Sequence, residues 1–478
     1  MSVQTNRKGL YILDADTPLT QEMVEEYIRD HEGKVERYIE NEQMYKGIYP
    51  ILDTKKPIYK PNNRLVVNFA KHIVDTLNGY FIGVPIKESH HDLKVNKFIN
   101  EFIRRNDLQD NEAEISKMSA MYGHAFEYLY RDREAEIHST YLSPVEGFMI
   151  YDDTVEEEPL YFVKYWRSAD HKLHATIRSR KDDREIEAYS VPKPHYFAGV
   201  PVIEYIENEE RMGAFDSVKT LMNALNKALS EKANDVEYFS DAYLVITGAE
   251  FGDVTIPLAS SSAGDCGTEF SDRVIPGKEA FLSNIHDHRL IYLPDIPPDT
   301  TVEIKFLERP SGDNTQENLL NRLVDDIFRI AMVANISDET FSSASSGTAL
   351  QFKLQPMKNL ALNKERKFQS GLRRRWKLIF EDKSVSGFDK AAWIDIEYRF
   401  TRNVPQDLES EMKVMAGLEG IVSKETQLTL ASFVDNVQEE MERLKAENTE
   451  LINEAVTRAK DVRRGADDRS GVLASERA

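Results

Sequence analysis

A chain of 478 residues exceeds what one compact core covers and predicts two to four domains or an elongated subunit. With 61 Lys+Arg against 82 Asp+Glu its net charge is −21, which argues against whole-surface attraction to nucleic acid, since phosphate binding needs a basic footprint. The longest strictly apolar runs, Ile330 to Ala334 and Tyr243 to Ile246, fall far below the roughly 18 residues a membrane span needs. The first residues carry no apolar stretch of the signal-peptide kind. The single cysteine, Cys266, excludes an internal disulfide framework. The expectation is a soluble, acidic, intracellular protein.

Residues 20–46 read as helix, with Met23, Val24, Tyr27, Ile28, Val35, Tyr38 and Ile39 on a three-to-four spacing. After a break at Pro50, Pro57 and Pro61, Val66, Phe69, Ala70, Ile73 and Leu77 fall on one helical face. Residues 91–125 continue as helix. The period then changes: 125–206 alternates and is rich in Tyr, Val and Ile, which predicts a β-rich module. From Gly213 to about Ser240 the helical period returns on Val218, Met222, Leu225, Leu229, Ala233 and Val236. Residues 243–309 hold Gly, Pro, Ser and Asp clusters between strand-like pieces (AYLVITG, RLIYLP, TVEIKFLE), a loop-rich excursion.

A second amphipathic helix follows a cap at Asp313 or Asn314, with the stripe Leu320, Leu323, Val324, Ile327, Ala331 and Ala334. After the small-residue loop NISDETFSSASSGTA, a long helix runs to about Phe380 on Leu354, Met357, Ala361, Phe368, Leu372, Trp376 and Ile379. Pro356 lacks an N–H, which predicts that this helix begins or kinks there. AAWIDIEYRF reads as a strand. Val437, Met441, Leu444, Asn448, Leu451 and Ala455 then follow a/d spacing, and the tail from Asp461 reads as disordered.

Motifs for catalysis are missing. The pairs Gly33-Lys34 and Gly277-Lys278 are followed by Val and Glu, so no phosphate loop of the Walker kind is present, and H-E-x-x-H, G-x-S-x-G and G-x-G-x-x-G do not occur. His286 with His288, and His171 with His174, offer imidazoles but have no second cluster at ligand spacing, so no metal and no cofactor is expected. The acidic run Asp152, Asp153, Glu156, Glu157 and Glu158 reads as a solvated loop. Charge is unevenly spread. Lys364, Arg366, Lys367, Arg373, Arg374, Arg375 and Lys377 face a single acid, Glu365, within 14 positions of the long helix, whereas 405–455 is strongly acidic. The basic helix is open to two readings: contact with nucleic acid, or pairing with acidic surfaces of a neighbouring subunit.

Several stretches then make the chain resemble the SPP1-like portal proteins of tailed phages of Gram-positive hosts. In family order they are NEQMYKGIYPIL (41–52), NRLVVNFAKHIVDTLNGYFIGVPI (63–86), AEISKMSAMYGHAFEYLYRD (113–132), LSPVEGFMIYDD (142–153), GVPVIEY (199–205), residues 218–248, SSGTALQFKL (345–354) and ERKFQSGLRRRWKLIF (365–380). The resemblance implies an α+β subunit with a mainly helical stem and crown, an α/β wing and a small mixed clip. Residues 1–212 would be wing, 213–242 and 310–336 stem, and 243–309 clip, with an apparent insertion at 257–277. Residues 337–349 would be a tunnel loop, 350–404 the long helix and a wing strand, 405–458 crown and 459–478 a disordered tail.

It further implies a non-enzymatic ring of twelve copies at the capsid vertex. Double-stranded DNA passes through such a ring, driven by a terminase, and a head-completion adaptor, the major capsid protein and a scaffolding protein are its other partners. Its place is the virion, and the host cytoplasm during assembly. Asp338, Glu339, Ser342, Ser343, Ser345, Ser346, Gly347 and Thr348 would form the tunnel loop, neutral and small at its tip with phosphate-repelling acids beside it. The rival readings are a nucleic-acid-binding protein using helix 364–377, and a capsid assembly adaptor using the coiled-coil-like end.

Overall fold

The computed structural model describes residues 3–57, 60–189, 191–240, 244–247, 254–256, 273–275, 290–293, 303–306, 313–335, 347–403, 408–431, 434, 437 and 440–452. The chain divides into two compact units, one of residues 1–42, 72–214 and 343–478, the other of residues 43–71 and 215–342.

In the first unit, strand β1 (Tyr11–Leu13) leads into helix α1 (Gln21–Tyr45), which continues into the second unit. Helix α2 (Phe69–Ile82) likewise begins in the second unit and ends in the first. Strand β2 (Lys87–Ser89) is followed by helices α3 (Leu93–Arg105) and α4 (Leu108–Tyr122). The reading of 91–125 as one helical stretch misses the break between them. There Asp107 turns into the left-handed region (φ 47°), and the side chain of the buried Asn106 folds back onto the Phe102 carbonyl at 3.0 Å. Helix α4 ends at Gly123, whose φ of 95° favours glycine, and a Cβ there would lie 2.0 Å from the Arg211 carbonyl oxygen.

The β-rich module is present, in two sheets. Strands β3 (His124–Arg131) and β4 (Ile137–Leu142) pair antiparallel and join β10 (Val202–Ile206) in a three-stranded sheet. Strands β5 (Gly147–Asp152), β6 (Pro159–Arg167), β7 (Leu173–Arg178), β8 (Asp182–Glu185) and β9 (Lys193–Pro194) form a six-stranded sheet with β1, which pairs parallel to β5. All six residues of β5 are buried, because both faces are covered. Phe148 and Ile150 pack with Val24, Tyr27 and Ile28 of α1, while Met149 and Tyr151 pack with Phe126, Leu142 and Val202 of the smaller sheet. This alternation is the period-two geometry of a strand between two layers.

The second unit contains helix α5 (Lys219–Ser240), entered through a 3₁₀ turn at Asp216–Val218, and strands β11 (Leu244–Thr247), β12 (Val254–Ile256), β13 (Arg273–Ile275), β14 (Leu290–Leu293) and β15 (Glu303–Phe306). The three strand-like pieces read from sequence form one sheet: β11 lies between β14, parallel to it, and β15, antiparallel. Helix α6 (Asp313–Ala331) packs on α5, and Phe328 meets Phe69 edge-on at 5.3 Å between ring centroids.

Back in the first unit, helix α7 (Gly347–Phe380) is 34 residues long. It starts before Pro356 rather than at it, so that proline stands inside the helix, exposed, where its missing N–H faces no buried acceptor. AAWIDIEYRF is strand only in its second half: Ala392–Asp395 is a 3₁₀ turn, and β16 (Glu397–Arg399) pairs antiparallel with β2. Helices α8 (Leu408–Gly417) and α9 (Lys424–Leu430) follow, and 440–452 is helical.

Candidate functional site

Helix α5 is held by an extended segment of its own unit. The backbone N–H of Asn63, Leu65 and Val67 donates to Asn234 Oδ1 at 2.6 Å, Ser230 Oγ at 2.9 Å and Asn226 Oδ1 at 2.8 Å. The spacing has a geometric cause. Four helical residues rise about 6 Å and two extended residues advance about 6.6 Å, so side chains at i, i+4 and i+8 meet every second N–H of a strand running antiparallel to the helix. Asn226, Ser230 and Asn234 are therefore buried, while Val236, on the expected apolar stripe, is 61% exposed. Lower on the same face, Met222 accepts from the hydroxyl of buried Tyr49. Helix α6 adds the ion pair Lys232–Glu317.

Helix α7 carries the basic cluster, and there the structure corrects the sequence. Lys364 and Arg375 are buried within their own chain, so neither is a surface group for DNA or a neighbouring subunit. Lys364 Nζ donates to Glu207 at 2.6 Å and to the Ser116 carbonyl at 2.9 Å. Burial pushes its pKa down, and the charge of Glu207 opposes that. Arg375 lies among three carboxylates: Nη1 is 2.5 Å from Glu112 and 3.4 Å from Glu88, and Nε lies 2.7 Å and 2.9 Å from the two oxygens of Glu127. Trp376 Nε1 donates to Glu88 at 2.6 Å, and Tyr205 and Ser139 donate to Glu127 at 2.7 Å and 2.6 Å. The physical reason is position: Lys364 and Arg375 stand on the same face as Ala361, Phe368, Leu372 and Trp376, so the helix that buries those residues must bury these two as well.

The other five basic residues are closer to the surface. Lys367 pairs with Glu209, which Lys367 and Lys8 together hold down at about 2. Arg374 lies 3.3 Å from Glu158, and Lys377 sits over the Trp393 ring. Arg366 and Arg373 are exposed. Of the expected tunnel loop, Asp338, Glu339, Ser342, Ser343, Ser345 and Ser346 lie outside the described residues, whereas Gly347 and Thr348 belong to the first turn of α7.

The remaining candidates resolve differently. His286, His288 and Cys266 lie outside the described residues. His171 sits in a turn at φ 61°, and His174 stacks on Trp166 and lies 3.0 Å from Glu187. Asp152 is buried, and its carboxylate accepts from the Thr154 hydroxyl and the Glu158 N–H, so it organises the acidic turn from inside. Glu157 pairs with Lys8. Sequence reading missed one group: His90, His91 and Asp395 bring ligand atoms within 4.8 Å of one another where β2 and β16 meet. The fit to a cation is poor. His90 Nδ1 accepts the Asp92 N–H at 2.9 Å, so the neutral ring carries its proton on Nε2 and has no lone pair to offer without losing that bond.

Comparison with known proteins adds what the geometry leaves open. One curated relative, the portal protein of Bacillus phage SPP1, is 23% identical over 475 residues, covering 91% of this chain and 87% of that protein. Among solved structures, a chain in the neck of an empty GTA particle computed with C6 symmetry matches 76% of this chain and 89% of its own length, at 11% identity and a TM-score of 0.37. The family model described as phage portal protein, SPP1 Gp6-like, matches residues 24–454, an interval that contains every helix named above except the first turn of α1. The chain therefore belongs to the SPP1 Gp6-like phage portal protein family.

Proposed function

We propose that this portal protein forms the ring-shaped DNA channel at a capsid vertex, through which a terminase packages the genome and DNA later exits. In this reading α5 and α6 are the stem, the intervening strands are the clip that docks the terminase and then a head-completion adaptor, and the acidic residues 405–458 are the crown. The observation that carries the reading is the family match over residues 24–454, which spans the proposed stem and clip and all but the last four residues of the proposed crown. Two physical features support it. A conduit must not grip its cargo, and a chain of net charge −21 supplies little phosphate attraction. Helix α5 is a rod of 22 residues, about 33 Å long, buttressed through its middle, from Asn226 to Asn234, by the 63–67 segment.

The test is imaging by negative stain together with sedimentation velocity. Closed rings, twelve copies in this reading, are the expected result, and a strict monomer at high concentration overturns it. The rival nucleic-acid-binder reading keeps only Arg366, Arg373 and Lys377 of helix 364–377 as exposed bases, because Lys364 and Arg375 are buried and Lys367 and Arg374 are paired to carboxylates of their own chain.

A further inference from the structure

Around Arg375 the acids outnumber the bases. Glu88 on β2, Glu112 on α4 and Glu127 on β3 surround one guanidinium on α7, with side-chain exposures of 1%, 4%, 0% and 0%. The other groups facing the cluster are neutral: Tyr205 on β10, Ser139 on β4, Trp376 on α7, and Tyr398 on β16, which stands opposite Glu88 in the strand ladder. Arg373 acts on the rim through Tyr398, and the second buried cation of α7, Lys364, is committed to Glu207 at 2.6 Å. Three anions against one cation would leave two uncompensated charges in a dry site. Each buried ion sacrifices several kcal/mol of hydration, and carboxylates that share a site do not all stay ionised.

The geometry decides which group takes a proton. Glu127 is the most fully engaged, accepting from Arg375 Nε, Tyr205 and Ser139. Glu112 holds Arg375 Nη1 at 2.5 Å. Glu88 is the least supported anion, at 3.4 Å from the same Nη1 and with one neutral donor, the Trp376 indole. We propose that Glu88 is a proton-holding site: it is a neutral carboxylic acid in the folded protein at pH 7, and α7 is fastened to β2 through that acid rather than through an ion pair.

Burial first, and the charge of Glu112 second, push Glu88 up to about 8. Burial raises Glu112 as well, so the two titrate as a coupled pair. The direction is opposite to that of a salt-bridged carboxylate. Unfolded, Glu88 releases its proton near 4.5; folded, it keeps it to about 8, so folding takes up a proton between those values. Its contribution to stability is complete below pH 4.5 and is lost as pH rises through about 8.

Infrared spectroscopy of the full chain in D₂O tests this. The expected result is a protonated-carboxyl C=O band at pH 7 that fades as pH rises through about 8 and is absent from Glu88→Gln, whose amide still accepts from Trp376. Glu112→Gln, which removes the neighbouring charge, moves the fading to lower pH. In parallel, the folding constant of the wild type relative to Glu88→Gln falls by up to about tenfold per pH unit between 4.5 and about 8. No such band in the folded wild type at pH 7 overturns the proposal, as does a band that persists in Glu88→Gln. If Glu88→Gln does not fold, the pH course of the wild-type band and its shift in Glu112→Gln decide the matter.

Discussion

Helices α5 and α7 both bury polar side chains on the face where an amphipathic helix puts its apolar stripe, and they satisfy them by opposite means. On α5 the buried groups are neutral acceptors, Asn226, Ser230 and Asn234, each matched to one backbone N–H of an extended segment that pairs with no strand among the described residues. On α7 they are cations, Lys364 and Arg375, matched to acidic side chains from the turn after β10, β2, α4 and β3. A neutral pairing contributes about 1 kcal/mol net, and its loss leaves one dry N–H. A buried ionic pairing has a small net contribution when intact, because desolvation opposes it, yet losing one partner leaves an uncompensated charge. The two helices should therefore differ far more in what breaks them than in what they contribute.

The largest expected effect follows from removing the cation. Arg375→Met should destabilise the first unit by about 3–5 kcal/mol in urea unfolding, since Glu112 and Glu127 lose the guanidinium that compensates them and Glu88 loses a neighbouring donor. Combining it with Glu88→Gln, Glu112→Gln and Glu127→Gln should recover much of that loss. A single variant within 1 kcal/mol of wild type would break the comparison at its charged end.

Close packing rather than charge is probed by Gly371→Ala. A Cβ at 371 would lie 2.4 Å from Cε1 of the fully buried Tyr205 ring, and the Tyr205 hydroxyl holds Glu127. The ring must tilt or α7 must move off β10, at about 1–3 kcal/mol by the same unfolding assay. A neutral outcome would mean that Tyr205 has room to move without losing its bond.

Asn226→Ala sharpens the neutral end. It leaves the Val67 N–H without its acceptor and should cost about 1–3 kcal/mol, with faster hydrogen exchange at Val67. Asn226→Asp keeps the acceptor and, measured at acid pH where its buried carboxyl is neutral, should lose less. Equal losses for the two would show that packing, not the hydrogen bond, holds the segment to α5.

These two faces also mark where sequence reading succeeds and where it stops. The stripe on α7 was legible because Met357, Ala361, Phe368, Leu372, Trp376 and Ile379 are apolar and are buried as read. Lys364 and Arg375 were counted as surface charge, although their own spacing, three or four positions from Ala361, Phe368 and Leu372, placed them on the buried face. On α5 the reading held through Val218, Met222 and Leu225 and then followed Leu229, Ala233 and Val236, whereas the buried face turns to Asn226, Ser230 and Asn234. Nothing in the period of α5 announces that turn, because its cause is a segment some 160 residues earlier. The partners Glu88, Glu112 and Glu127 were invisible for the same reason: each is one acid in its own element, and only the fold gathers them. Strand β1 escaped notice because three residues carry no period, and its pairing to β5 is long-range.

The smallest effects are expected on the outer face of α7. Lys367→Ala removes a partly exposed pair with Glu209 and should change stability by about 0–1 kcal/mol. The triple change Arg366→Ala, Arg373→Ala and Lys377→Ala, at exposed positions, should leave the unfolding transition near wild type. That makes it the sound probe of assembly. Including Arg375 in such a set would destabilise the first unit and could imitate a lost contact. If the triple variant folds and no longer forms rings, the outer face of α7 meets a neighbouring subunit. If rings persist while salt-dependent binding of short duplex DNA falls, that face meets nucleic acid. If both are unchanged, the basic face of α7 is spent within its own chain, through Lys364, Lys367, Arg374 and Arg375.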